Sequence, residues 1–210
     1  FHYDVADADD GLVGEHDDVR YSTENITSGG GDDYLVGNNL KNTIKGGGGG
    51  FVQLTGEVGT GKTTLSRLLL EQLPENTQVA LLLNPRLSPV EMIETVCEEL
   101  KLDVSGKRGS LKALTDALNT YLLDAYAQGL RVVLIVDEAQ NLSLDAMEHI
   151  RLLTNLETPT QKLLQIILLG QPELRDMLNR PELRQLAQRI TARYHLTPLD
   201  AAECEAYVKH

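Results

Sequence analysis

The sequence predicts an α/β fold: a parallel sheet flanked by helices, with a phosphate-binding loop after its first strand. Three observations predict it. Gly56-Glu57-Val58-Gly59-Thr60-Gly61-Lys62-Thr63 is a complete G-x-x-x-x-G-K-[ST] loop, set between the apolar-leaning run Phe51-Val52-Gln53-Leu54 and the helically spaced Leu65-Ser66-Arg67-Leu68-Leu69-Leu70. Val132 to Val136 is an unbroken apolar run that delivers two carboxylates, Asp137 and Glu138. From Phe51 onward, apolar runs of strand length alternate with amphipathic segments of helix length, the order of a parallel sheet with crossover helices.

The chain has 210 residues and a net charge of -12, with ten acidic against three basic side chains in residues 1–50. That acidity disfavours a broad nucleic-acid-binding surface, because phosphates are repelled. No apolar run approaches the ~18 residues needed to cross a membrane, and the start at Phe1 shows no basic, apolar leader. Cys97 and Cys204 lack metal-ligand spacing and read as buried or free thiols in a reducing compartment.

Residues 1–27 are rich in Asp and without clear period, and read as an acidic irregular segment. Residues 28–50 form a second stretch. Ser28-Gly29-Gly30-Gly31-Asp32-Asp33-Tyr34-Leu35-Val36 is followed by Gly37-Asn38-Asn39-Leu40-Lys41-Asn42-Thr43-Ile44-Lys45, so that Asp33 aligns with Asn42 and Leu35 with Ile44; Gly46 to Gly50 either opens a third copy or serves as a linker. The nonapeptide resembles the calcium-binding repeat of RTX, or haemolysin-type, proteins. That resemblance implies an incipient β-roll with Ca²⁺ ligands at Asp33 and Asn42, and an exported protein as one alternative. Two copies bury no continuous core, so a flexible lead-in competes with it.

Residues 51–210 form the third stretch. After the first strand, a helix is expected over about 61–73, a turn at Pro74-Glu75-Asn76 and a buried strand at Gln78 to Leu83. Ser88 and Pro89 cap and open a helix to about Leu100. A polar loop from Asp103 to Gly109 leads to Ser110, which caps the helix bearing Leu111, Leu114, Leu118, Leu122 and Tyr126 and ending at Gly129. The strand Arg131 to Val136 follows, then a helix from Ser143 to Leu156, a strand from Leu163 to Leu169, short helices at Pro172 to Leu178 and Pro181 to Arg189, and a last strand from Ala192 to Leu196.

The chemistry follows from residue type. Gly56, Gly59 and Gly61 admit a bend in which successive amides face phosphate oxygens, and the first turn of the following helix adds unpaired N–H groups. Glu57, Val58, Thr60 and Thr64 complete the binding loop, Lys62 reaches the outer phosphates of ATP, and the Thr63 hydroxyl is a ligand for Mg²⁺. In phosphate-loop ATPases the first acid of the buried strand holds the Mg²⁺ shell and the second orients the attacking water, which here are Asp137 and Glu138. The loop and the acids are expected to converge from adjacent strands.

The loop, the segment Asp137-Glu138-Ala139-Gln140-Asn141-Leu142, and Leu169-Gly170-Gln171-Pro172-Glu173-Leu174 with Arg189 and Tyr194-His195-Leu196 resemble the ATPase of general secretion pathway protein A, also called ExeA. That family is a P-loop NTPase of AAA+ type, similar in turn to transposition ATPases of the TnsC type, for which DNA-associated hydrolysis is the alternative. The resemblance implies a cytoplasmic ATPase at the inner membrane face, a homo-oligomer, and a membrane-bound partner in secretin assembly for type II secretion. It implies that Asn84 is a polar switch facing Glu138, that Gln171 sits beside the γ-phosphate, and that Arg189 is an arginine finger, with Arg184 and Arg193 as alternatives. Because the sequence stops at His210, the lid domain is expected to be absent and hydrolysis slow. A cytoplasmic ATPase and an exported calcium repeat imply different addresses, which points to a natural or artificial joint near Gly46–Gly50.

Overall fold

The computed structural model describes residues 51–83, 86–155 and 162–198, and the backbone of four short strands before residue 51. Those four are β1 (Asp18–Val19), β2 (Asn25–Thr27), β3 (Asp33–Gly37) and β4 (Thr43–Lys45). The alternating part follows as β5 (Phe51–Gly56), α1 (Lys62–Gln72), β6 (Thr77–Leu82), α2 (Pro89–Glu99), α3 (Leu111–Ala127), β7 (Arg131–Val136), α4 (Leu144–Leu153), β8 (Leu164–Gly170), α5 (Pro172–Leu178), α6 (Arg184–Ala187) and β9 (Ile190–Leu196).

The central sheet runs β9-β5-β8-β7-β6 with every pair parallel. Alternation along β7 shows how the sheet is buried on both sides. Val132, Leu134 and Val136 join α2, α3, α4 and α5 in the larger core, while Val133 and Ile135 pack on the other face with Leu54, Tyr194 and Leu65 of α1. Burying a large aliphatic side chain is worth about 1.5–3 kcal/mol, so this two-sided core fixes the strand order that places the site.

Helix starts follow the sequence closely. Ser88 accepts the Glu91 amide in a full capping box, and Ser110 and Ser143 accept the amides of Ala113 and Ala146. By contrast, α1 begins at Lys62 after the N-cap Gly61, with no side-chain cap and no acid in its first turn.

Several expectations are corrected. β8 lies between β5 and β7, so the strands carrying the loop and the acids are not adjacent. The reason is that β8, apolar on both faces, is paired on both edges: Ile166 lies level with Phe51 on one side and with Leu134 on the other. The Pro181 to Arg189 segment divides into a 3₁₀ turn, Pro181–Leu183, and the short α6, and β9 starts at Ile190 rather than Ala192. An additional 3₁₀ turn spans Ala139–Asn141.

Among the described residues, the strands of the two nonapeptide copies do not pair with each other. β3 pairs with β9, placing Leu35 opposite Tyr194, whereas β4 pairs with β2, placing Ile44 opposite Ile26. Two repeats lack the neighbours that a stacked roll requires, and their strands take other partners.

Candidate nucleotide-binding and hydrolysis site

Strand register brings the sequence landmarks to one end of the sheet. Thr55 on β5 lies level with Gly170 on β8 and His195 on β9, and Leu168 on β8 lies level with Val136 on β7. The loop after β5, Gln171 after β8, and Asp137 and Glu138 after β7 therefore leave the same carboxyl edge, where open parallel sheets hold ligands.

Loop geometry suits an anion. Gly59 and Gly61 take φ of 85° and 83°, a left-handed backbone that side chains disfavour, and this turns the chain into α1. Thr60 is 2% exposed, and its hydroxyl donates to the Glu57 carbonyl at 2.9 Å, tying the loop across its base. Glu57, Val58, Gly59, Thr63 and Thr64 are exposed at its rim. The uncapped amides of α1 are left to face a ligand.

Lys62 is 7% exposed, and its ammonium donates at 2.7 Å to the carbonyls of both Gly56 and Glu57. Its charge is felt across the sheet edge. Burial pushes the Asp137 carboxyl above its ordinary value; the Glu138 amide opposes that shift, the Glu138 charge adds to it, and the Lys62 ammonium opposes it. His195, beside the loop on β9, is pushed below the ordinary histidine value by burial and then by Arg175, with Glu57 raising it and Lys62 lowering it. Its Nδ1 lies 3.0 Å from Thr55 Oγ1, whose hydroxyl also donates to the Tyr194 carbonyl.

A hard cation fits the donors present. Asp137 Oδ1 accepts the Glu138 amide at 2.8 Å, which leaves Oδ2 as a ligand, and Thr63 supplies an exposed hydroxyl. Among the described residues no group of three or more His, Cys, Asp or Glu could hold a metal alone. This suits Mg²⁺, which takes one or two protein ligands and completes its shell with phosphate oxygens and water.

Glu138 is held more tightly than its sequence setting suggests. It sits at φ 52°, ψ 39°, a left-handed conformation rare for a non-glycine residue and typical of strained functional positions. Its Oε2 accepts the side-chain amides of both Gln171, at 3.2 Å, and Gln140. Gln171, at the end of β8, thus meets Glu138. Asn84 lies outside the described residues.

The arginines separate. Arg189 Nη1 donates to Thr154 Oγ1 at 2.8 Å and to the Arg151 carbonyl at 3.3 Å, so its guanidinium closes the carboxyl end of α4. Arg193 donates to the Ala187 carbonyl at 2.7 Å. Arg184 is exposed, and its guanidinium makes no hydrogen bond or ion pair among the described residues. For calcium, Asp33 lies on β3 and Asn42 outside the described residues. Gln140 and His195 received no individual role from the sequence; the only available signal was their closeness to Glu138 and to the end of the last strand.

The AAA domain family matches residues 44–178, from Ile44 in the second nonapeptide copy through the phosphate loop, both acids and α5. The chain belongs to the AAA domain family. The match begins at the end of the nonapeptide stretch, and the RTX resemblance finds no support in it. General secretion pathway protein A from Aeromonas hydrophila is 56% identical over 162 residues, which are 77% of this chain and 29% of that protein. The chain therefore spans less than a third of the length of this relative. Among solved structures, the ORC2 protein of Aeropyrum pernix in its ADP form is similar with a TM-score of 0.61 at 14% identity, over 78% of this chain and 46% of that one. Cdc6p from Pyrobaculum aerophilum is similar with a TM-score of 0.61 at 17% identity, over 76% and 42% of the two chains. These likenesses establish an AAA-type fold. No helix among the described residues is long and apolar enough to cross a membrane.

Proposed function

We propose that this AAA domain binds and hydrolyses Mg-ATP as the ATPase module of a type II secretion system, acting in secretin assembly at the inner membrane face. One observation carries the chemistry: the loop bearing Lys62, the acids Asp137 and Glu138, and Gln171 leave three strands at the same carboxyl edge of the sheet, where Gln171 is bonded to Glu138. The likeness to general secretion pathway protein A supports the secretion assignment.

In this reading the loop amides and Lys62 bind the phosphates, and Thr63 and Asp137 would hold Mg²⁺. When bound, the cation neutralises charge on the phosphate oxygens. Glu138 orients the attacking water and accepts its proton. Gln171 donates to the terminal phosphate while keeping its bond to Glu138, since its amide nitrogen carries two hydrogens. With Arg189 engaged at α4, we place the exposed Arg184 as the side chain that reaches the nucleotide of a neighbouring copy in a homo-oligomer.

The test compares the protein with Glu138→Gln. Nucleotide binding persists and turnover falls by about 10²- to 10⁴-fold, the usual contribution of a positioned acid–base group; equal turnover removes the catalytic assignment. A net charge of -12 favours a protein partner over DNA. Stimulation of hydrolysis by DNA would reverse that preference.

A further inference from the structure

The amide of Gln140 is fixed at both ends. Its Oε1 accepts the backbone N–H of Gln171 at 3.1 Å, and its Nε2 donates to Glu138 Oε2. A backbone N–H can only donate, so the oxygen must face Gln171 and the NH₂ must face the carboxylate. The bridge therefore has one orientation. It links the loop after β7 to the end of β8, across 31 residues of sequence.

A second, independent feature makes room for it. A Cβ built on Gly170 would stand 2.7 Å from Gln140 Oε1 and 2.9 Å from Leu174 Cδ2. Gly170 has an ordinary backbone, so its lack of a side chain serves space rather than conformation. The space it leaves is where the Gln140 oxygen lies.

We infer that Gln140 is a positioning residue for hydrolysis: it holds Glu138, itself in a strained left-handed conformation, so that Oε2 is saturated by amides and Oε1 is presented to water. This inference rests on the ATP-hydrolysis reading of the site. Gln171 has a hydrogen to spare for a terminal phosphate and answers to the ligand. Gln140 also has a second amide hydrogen, but its Oε1 is held by the Gln171 backbone N–H, so turning its amide toward the ligand would break that bond; it keeps the carboxylate in place while Gln171 donates to the phosphate.

The experiment uses the full chain with Gln140→Ala, Gly170→Ala and the double variant, each also in a Glu138→Gln background, together with a Glu138→Ala protein. Mg-ATP turnover, the Kd for a non-hydrolysable ATP analogue and the side-chain amide NMR resonances of ¹⁵N-labelled protein are measured. Gln140→Ala lowers kcat by about 10- to 100-fold, the scale of misplacing a reacting group by about an ångström, while the Kd stays within about twofold. Gly170→Ala reproduces the fall, the double variant is no worse than Gln140→Ala, and neither change lowers kcat further once Glu138 is Gln. The Gln140 side-chain amide resonance shifts in both Gly170→Ala and Glu138→Ala.

A folded Gln140→Ala protein with unchanged kcat overturns the inference. So does an equal fall in the Glu138→Gln background, or a Gln140 amide resonance that ignores Glu138→Ala. Should the wild-type protein turn over no more ATP than Glu138→Gln, the hydrolysis reading fails, and the amide resonance still decides whether Gln140 holds Glu138.

Discussion

Replacing Lys62 with alanine tests the nucleotide site at its most buried cation. The ammonium is 7% exposed and donates at 2.7 Å to the Gly56 and Glu57 carbonyls. Binding a triphosphate exchanges those acceptors for phosphate oxygens, so the affinity lost on mutation is the difference between two sets of bonds. Hydrogen bonds from a charged donor span roughly 1.5–3 kcal/mol each. Assigning the carbonyls to the low end and the anionic phosphate to the high end gives about 1.5 kcal/mol per bond and about 3 kcal/mol for two. At about 1.4 kcal/mol per tenfold, ATP binding weakens on the order of 10²-fold. The assay is titration calorimetry with Mg-ATP in a Glu138→Gln background, so that turnover does not confuse the isotherm, with thermal melts to show that the variant is folded. A folded Lys62→Ala variant that binds ATP within about threefold of its parent refutes the reasoning, because two exchanged charge-assisted bonds cannot be worth so little.

Asp137→Asn is expected to stabilise the protein near neutral pH while removing its metal dependence. Burial raises the folded-state pKa of Asp137, so stability is fullest with the carboxyl protonated, below the ordinary carboxylate range, and is lost as pH rises through the raised value. Above that window the ionised group is a burden that asparagine removes, and a melting temperature that falls at neutral pH counts against this sign. Arg189→Ala removes charge-assisted bonds to Thr154 and Arg151 and lowers stability by about 1.5–3 kcal/mol, read by urea unfolding. Arg184→Ala leaves unfolding unchanged and lowers turnover; the reverse pattern restores Arg189 to the arginine-finger role.

The parts legible in the sequence were those written locally. The phosphate loop declares itself within eight consecutive residues, the buried strand ends in its two acids, and Ser88, Ser110 and Ser143 mark helix starts that the structure keeps. Strand order was not local. Nothing within β8 says that it inserts between β5 and β7, since an apolar run of that length suits any central position. Side-chain destinations were equally hidden. Arg189 turns to the end of α4 because Thr154 and the Arg151 carbonyl lie there, 35 and 38 residues earlier in the chain. Gln140 reads as one polar residue after a pair of acids until β8 brings the Gln171 amide to it.

The proposed hydrolysis requires the α1 end of the loop and the acid on β7 to hold one metal between them. Its most direct measurement is a double-mutant cycle on the Mg²⁺-dependent part of ATP affinity, using Thr63→Ala, Asp137→Asn and the pair together. A shared metal predicts that either single change abolishes most of the Mg²⁺ contribution and that the double variant loses scarcely more. Losses that simply add, as they do for sites about 7–10 Å or more apart without common partners, would contradict a single metal-bound triphosphate at this edge of the sheet.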